Sequence, residues 1–414
     1  MEEWKIYKLG EITSKIGSGA TPKGGRDSYL GGNISLIRSQ NVLDFSFSKS
    51  GLAYINEMQA EKLNNVEVYE KDVLLNITGD SVARVCIVPN NVLPARVNQH
   101  VAIIRGNEKV DYRYLLYYLQ YIKPQLLSLS QGGATRNALT KKMIEELEIK
   151  MPSKGTQKEI VSILYTLDTK IALNRRINDN LEQQAQALFK SWFVDFEPFN
   201  GEKPSNWSYC KIKNLHHIIE TGKRPKGGVA HIKQGIPSIG AESIKGIGYY
   251  DYSKTKYISN EFASSLKKGK IHDYDLLIYK DGGKPGYFIP NFSIMGEGFP
   301  FDTMYLNEHV FRLDLGSSGM NIFAYFYFQT DEIINMLESV GGKAAIPGIN
   351  QQNIEDLEIL SPDIDYVQRY GELVYPIFKS ILQNCRENAK LEKIRDALLP
   401  RLMSGELKIY DLNC

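Results

Sequence analysis

The chain has 414 residues, enough for two or three domains each with a full core. Its 43% hydrophobic and 24% charged content is that of a globular protein, and no run reaches the roughly 18 apolar residues that a membrane span needs. A net charge of +2 excludes a coat held on nucleic acid by bulk charge alone, but it leaves room for a groove reader with local cations.

The opening "MEEWKIYKLG" has no apolar signal core, which speaks against secretion and for a cytoplasmic protein. Cys86, Cys210, Cys385 and Cys414 are scattered with no CxxC, so they read as reduced thiols with no zinc site. Residues 1–153 then carry short β-like stretches, "ISLIRS", "DVLLNI" and "VAIIR", separated by Gly, Asn, Asp and Pro turns. One helical stretch, "YRYLLYYLQYIKPQLLSL" (112–129), interrupts them, giving an α+β globule.

Residues 154–198 change character. From Ile160 the apolar steps alternate four and three through Leu164, Leu167, Ile171, Asn174, Asn178, Leu181, Ala185, Leu188 and Trp192. That is the seam of a coiled coil. Residues 199–362 return to short strands ("DLLIYK", "HVFRLDL") and a helix at 321–339, and residues 363–414 return to a heptad helix. Its seam runs through Tyr370, Val374, Ile377, Ile381, Asn384, Asn388, Leu391, Leu398 and Leu402, with Ile394 expected in place of Arg395.

The return is a duplication. Trp4 answers to Trp207, "TPKGG" (21–25) to "RPKGG" (224–228) and Gly79 to Gly282, each 203 residues on. "NQHVAII" (98–104) answers to "NEHVFRL" (307–313), Gln120 to Gln329, and Gly132-Gly133 to Gly341-Gly342, each 209 on. "IEELEI" and "IEDLEI" follow at 210. The fold expected is therefore two tandem α+β domains, separated by two long helices, with an internal pseudo-twofold repeat. Each helix either packs on its own globule or pairs with the other. The Asn residues at matching heptad steps favour an antiparallel pair, because a seam Asn gives up stability and fixes register. About 36 residues at roughly 1.5 Å each would make a rod of roughly 50 Å.

Catalytic constellations are missing. There is no GxxxxGK[ST] loop, HExxH, EF-hand loop, GxSxG elbow or methyl-donor tetrapeptide. The carboxylates of "SPDIDYVQ" (361–368) stand at a helix start and read as capping. The six histidines (100, 216, 217, 231, 272 and 309) show no metal-ligand spacing, and the repeat partners His100 and His309 read as structural. The chain reads as a binder rather than an enzyme.

Its loops carry groups suited to DNA. "SGATPKGGRDSY" (18–29) and "TGKRPKGGVAH" (221–231) offer Thr21, Lys23, Arg224 and Lys226 on glycine-rich backbone, a setting for phosphate contact. Arg38, Gln40 and Asn41 follow a strand and suit base edges, Arg favouring guanine and Gln or Asn adenine; the second copy has Glu242 and Ser243 there. Thr78 and Arg84 flank one turn, with Lys280 and Lys284 at its counterpart. "GGATRNALT" (132–140) adds Thr135, Arg136 and Asn137 near a helix entry, and its partner adds Lys343. Scaffold residues agree between the copies while these exposed ones differ, as two readers of different half-sequences would.

These residues resemble the specificity subunits of type I restriction–modification systems, and the likeness covers the whole chain. It rests on the "W…LGEI…SGATPKGG" opening, on "QGGATRNALTKKMIEELEIKMPSKGTQKEIV", on "LFKSWFVDFEP" after the first helix and on "LEKIRDALLPRLMSGEL" (391–407). The resemblance implies two target-recognition domains joined by an antiparallel coiled coil. Each would read half of a bipartite, asymmetric duplex site, with the helices as a ruler for the gap. It further implies two methyltransferase subunits that use S-adenosylmethionine, and restriction subunits that use ATP and Mg, so no cofactor or metal is expected in this chain and no membrane partner. "GGKAAIPGIN" departs from the usual Thr-containing form, which weakens the carry-over onto Lys343. A standalone duplicated binding or structural protein without methyltransferase partners is the alternative.

Overall fold

In the computed structural model the described residues are 4–22, 29, 31–131, 137–282, 286–343 and 347–409. Contacts divide the chain into two units, Met1–Lys170 with Leu391–Cys414, and Ile171–Lys390. Each unit thus includes a share of both long helices, Lys154–Phe193 and Ile364–Ser404.

The layering of each unit follows from one strand. Val73–Asn76 is buried at every position. Successive side chains of a strand point to opposite faces. Val73 and Leu75 therefore join a core with the helix Tyr112–Tyr121, while Leu74 joins a second core against the neighbouring sheet. Leu276–Tyr279 repeats this in the second unit, Leu276 and Ile278 entering one core and Leu277 another. A strand covered on both faces is apolar throughout instead of alternating.

Sheet order repeats as well. In the first unit Thr13–Ser18, Val101–Gly106, Val73–Asn76 and Val85–Ile87 lie side by side, all antiparallel. In the second, Ile218–Thr221, Val310–Asp314, Leu276–Tyr279 and Phe292–Ile294 take the same order. The other sheet contains one parallel pair in each unit, Ile34–Ile37 with Ala95–Val97 and Ile236–Ile239 with Tyr305–Leu306. Its fourth strand, Glu67–Val68, is reduced in the second unit to a single bridge between Lys270 and Tyr305. A two-stranded ribbon, Lys5–Lys8 on Glu148–Met151 or Ser208–Lys211 on Glu358–Ser361, leads into each long helix.

Within each unit the long-helix segments run antiparallel and pack on that unit's core. In the first, Ile160 and Leu164 share a cluster with Leu399, Leu402 and Met403. In the second, Ala185 and Phe189 meet Tyr370, Val374 and Phe378. Asn174 Nδ2 donates to Asn388 Oδ1 at 2.9 Å and Asn384 Nδ2 donates to Asn178 Oδ1 at 2.8 Å. The repeat exchanges these two pairs, so the seam Asn residues fix one register twice.

One seam position corrects the sequence reading. Ile394 is 48% exposed, whereas Arg395 is 9% exposed and keeps its place in the seam. Arg395 Nη1 donates to Asp168 Oδ1 at 2.9 Å, and its guanidinium lies 3.9 Å from the centre of the Phe45 ring. Asp168 Oδ2 also accepts from Tyr117 Oη at 2.6 Å. A charge with a partner and a ring to lie on can occupy a buried heptad step, and apolarity alone misplaces it. No described helix is long and apolar enough to cross a membrane.

Candidate nucleic-acid interface

The separate loops singled out in the sequence come together, and Asn98 is their hub. Its backbone N–H donates to Ile37 O, and its carbonyl accepts from the N–H of Gly19, at 3.0 and 3.1 Å. Its side-chain Oδ1 accepts from the N–H of His100 at 3.0 Å. His100 O accepts from Ile77 N at 2.9 Å, and Gly79 N donates to Asn137 O at 3.1 Å. The "SGAT", "IRSQN", "NQH", "ITGD" and "RNAL" segments thus form one rim.

Asn307 builds the same rim in the second unit. Its N–H donates to Ile239 O at 2.9 Å and its carbonyl accepts from Gly222 N at 3.1 Å, while Oδ1 accepts from His309 N at 2.8 Å. Lys280 N donates to His309 O at 3.0 Å and Gly282 N to Pro347 O at 2.9 Å. The close approach explains one glycine in each copy. A Cβ on Gly19 would lie 1.8 Å from Val97 O, and one on Gly222 would lie 1.7 Å from Leu306 O. Only glycine lets the chain pass there.

On this shared frame the side chains differ. In the first unit Thr21 Oγ1 donates to Gln99 Oε1 at 2.5 Å, Gln99 Nε2 lies 3.2 Å from His100 Nε2, and His100 Nδ1 lies 2.5 Å from Thr78 Oγ1. That chain runs hydroxyl, amide, imidazole, hydroxyl. At the repeat-related places the second unit has Arg224, Glu308, His309 and Asp281. Arg224 Nη1 is 3.7 Å and His309 Nε2 is 3.4 Å from Glu308 Oε1, and His309 Nδ1 contacts Asp281. Here the chain runs guanidinium, carboxylate, imidazole, carboxylate.

The candidate residues fare differently. Thr21, Thr78 and Asn137 lie on the first rim, and Arg224 and Lys280 on the second. Lys280 Nζ donates to Glu308 O at 3.0 Å and lies 3.6 Å from Asp281. Lys226 and Lys343 are exposed, Arg84 is half-buried, and none of the three forms an ion pair among the described residues. Arg38 and Gln40 both donate to Gly51 O, at 2.5 and 3.1 Å.

Asn41 corrects the sequence reading. It is fully buried, its Nδ2 donates to Ser48 O and Ser50 O, and its Oδ1 accepts from Arg38 N. It shapes the loop and presents nothing to a base. Ser243, 8% exposed, is likewise withdrawn. Glu242 pairs with Lys256 at 2.6 Å; burial works against its charge, but the lysine and the backbone bonds outweigh burial and hold the carboxyl below its usual range. Lys23, Thr135, Arg136 and Lys284 lie outside the described residues.

Gln99, Glu308 and Asp281 escaped sequence reasoning, and His100 and His309 were read as structural. The signal was present: "NQH" and "NEH" are the same turn with only the middle residue changed. Among the described residues no group of His, Cys, Asp and Glu is arranged to hold a metal ion.

Residues 1–183 match the family described as type I restriction modification DNA specificity domain. The chain is 26% identical to the type I restriction enzyme MjaIX specificity subunit of Methanocaldococcus jannaschii, over 99% of this chain and 95% of that one. It is 24% identical to the HindI specificity subunit of Haemophilus influenzae, over 98% and 100%. The crystal structure of a type I restriction–modification S subunit from M. genitalium shares the fold, with a TM-score of 0.56 at 14% identity over 97% and 96% of the two chains. The matched first 183 residues, the relatives that run the length of the chain and the shared fold make this chain similar to the specificity subunits of type I restriction–modification systems.

Proposed function

We propose that each unit reads one half of a bipartite, asymmetric duplex site through its loop rim, while the paired helices set the unread gap and dock two methyltransferase subunits. The observation that carries this reading is the pair of equivalent rims, alike in backbone and unlike in exposed side chains. One frame fits one kind of groove, and changed side chains read changed bases. The glycine-lined loops and the cations Arg84, Lys226 and Lys343 supply backbone contacts, and restriction subunits join the same complex. In this reading the chain works in the cytoplasm without a cofactor. Methyl transfer with S-adenosylmethionine and ATP- and Mg-driven cleavage belong to its partners.

Exchanging residues 1–150 for the first domain of another specificity subunit tests it. One half-site should change and the other persist; a change in both halves contradicts modular reading. Removing one heptad from each helix should shorten the gap, and an unaltered gap contradicts the ruler.

A further inference from the structure

Gln99 and Glu308 occupy the same place on the two rims, between an Asn that closes the turn and a His that flanks them. We propose that this pair is a specificity-determining position, with Gln99 reading an adenine in one half-site and Glu308 reading a cytosine in the other. The assignment rests on the DNA-reading function proposed above and names the chemistry that each rim selects.

An amide presents a donor and an acceptor side by side, and adenine offers the matching N6 amino group and N7. In the first unit the neighbours orient that amide. Thr21 Oγ1 donates to its oxygen at 2.5 Å, and its nitrogen faces His100 Nε2 at 3.2 Å. The remaining lone pair and N–H belong to an exposed residue at the edge of the rim.

A carboxylate only accepts, which suits the cytosine N4 amino group and repels guanine O6 or thymine O4. Glu308 keeps acceptor capacity in reserve. Oε1 faces His309 Nε2 and Arg224 Nη1 at 3.4 and 3.7 Å, beyond good hydrogen-bond length, and so keeps a lone pair for a base; Oε2 is buried and has no hydrogen-bond partner among the described residues. Arg224 brings the opposite charge to Oε1. Asp281 stands on the far side of His309, with Lys280 3.6 Å from it. Neither Gln99→Glu nor Glu308→Gln changes side-chain volume appreciably, and both sites are partly exposed.

The test is selection of bound sequences from a random duplex library by the chain in complex with its methyltransferase subunits. Wild type should return a two-part motif. Gln99→Glu should move one base of one half from adenine toward cytosine by roughly tenfold or more, and Glu308→Gln should move one base of the other half the opposite way. Gln99→Ala and Glu308→Ala should flatten preference at the same two positions, and they decide the matter if a charge-changing variant does not fold. Folded variants that return the wild-type motif, or changes spread over both halves, overturn the assignment. A wild-type complex that returns no two-part motif overturns instead the reading on which the assignment rests.

Discussion

In the first unit the long-helix segments are tied by Arg395, Asp168 and Tyr117, a polar set with a 2.9 Å ion pair and a 2.6 Å hydroxyl bond. The repeat-related residues of the second unit are Ala185, Phe378 and Phe326. There the contact is apolar, with the Phe326 and Phe378 rings edge to face at 5.7 Å. Desolvation offsets much of the Coulomb gain of a buried ion pair, while an aromatic contact carries no such cost. One backbone arrangement therefore accepts either solution, and the polar version gives the first unit directional pairing.

The largest effect expected in breaking this comparison is Phe378→Ala. Phe378 is fully buried, and truncation should cost about 3–5 kcal/mol in denaturant unfolding of the second unit. Arg395→Ala should cost about 2–4 kcal/mol, because it leaves Asp168 without its cation in a largely buried site. The combination Tyr117→Phe, Asp168→Phe and Arg395→Ala imports the second unit's solution and should recover at least half of that loss; no recovery means the two anchors are not interchangeable. Asn174→Ala removes the donor to Asn388 Oδ1 and should cost about 1–3 kcal/mol.

The smallest effect depends on pH. Burial raises the Glu182 carboxyl above its ordinary range; Tyr325 Oη, donating to it at 3.1 Å, pulls the other way but less strongly. The native state then holds the proton more tightly than the unfolded chain, so stability falls as pH rises through that raised range and levels off above it. Glu182→Gln keeps an acceptor for Tyr325 and removes the charge. Its melting temperature should exceed wild type at neutral pH, and the difference should shrink as pH falls below the carboxyl's ordinary range. A difference independent of pH would assign the effect to packing.

Much of this was legible in the sequence because it repeats. The heptad phase and the four Asn positions followed from spacing alone, and every seam residue is buried or half-buried. Arg395 was misplaced because an apolarity rule knows nothing of Asp168, which lies far away in sequence and across the helix pair. Asn41 looked like a base reader from composition, yet its loop curls back and encloses it. Gln99 and Glu308 were hidden for the opposite reason. Their turn matched between copies and passed for scaffold, and only the folded rim brings Thr21 and Arg224 beside them.

Half-site reading across a fixed gap stands or falls on methylated-base sequencing of DNA from cells that express this chain together with a type I methyltransferase that binds it. The expected result is an adenine-methylated motif in two unlike halves with a fixed gap. An active methyltransferase bound to the chain that leaves no motif, or an uninterrupted one, would contradict it.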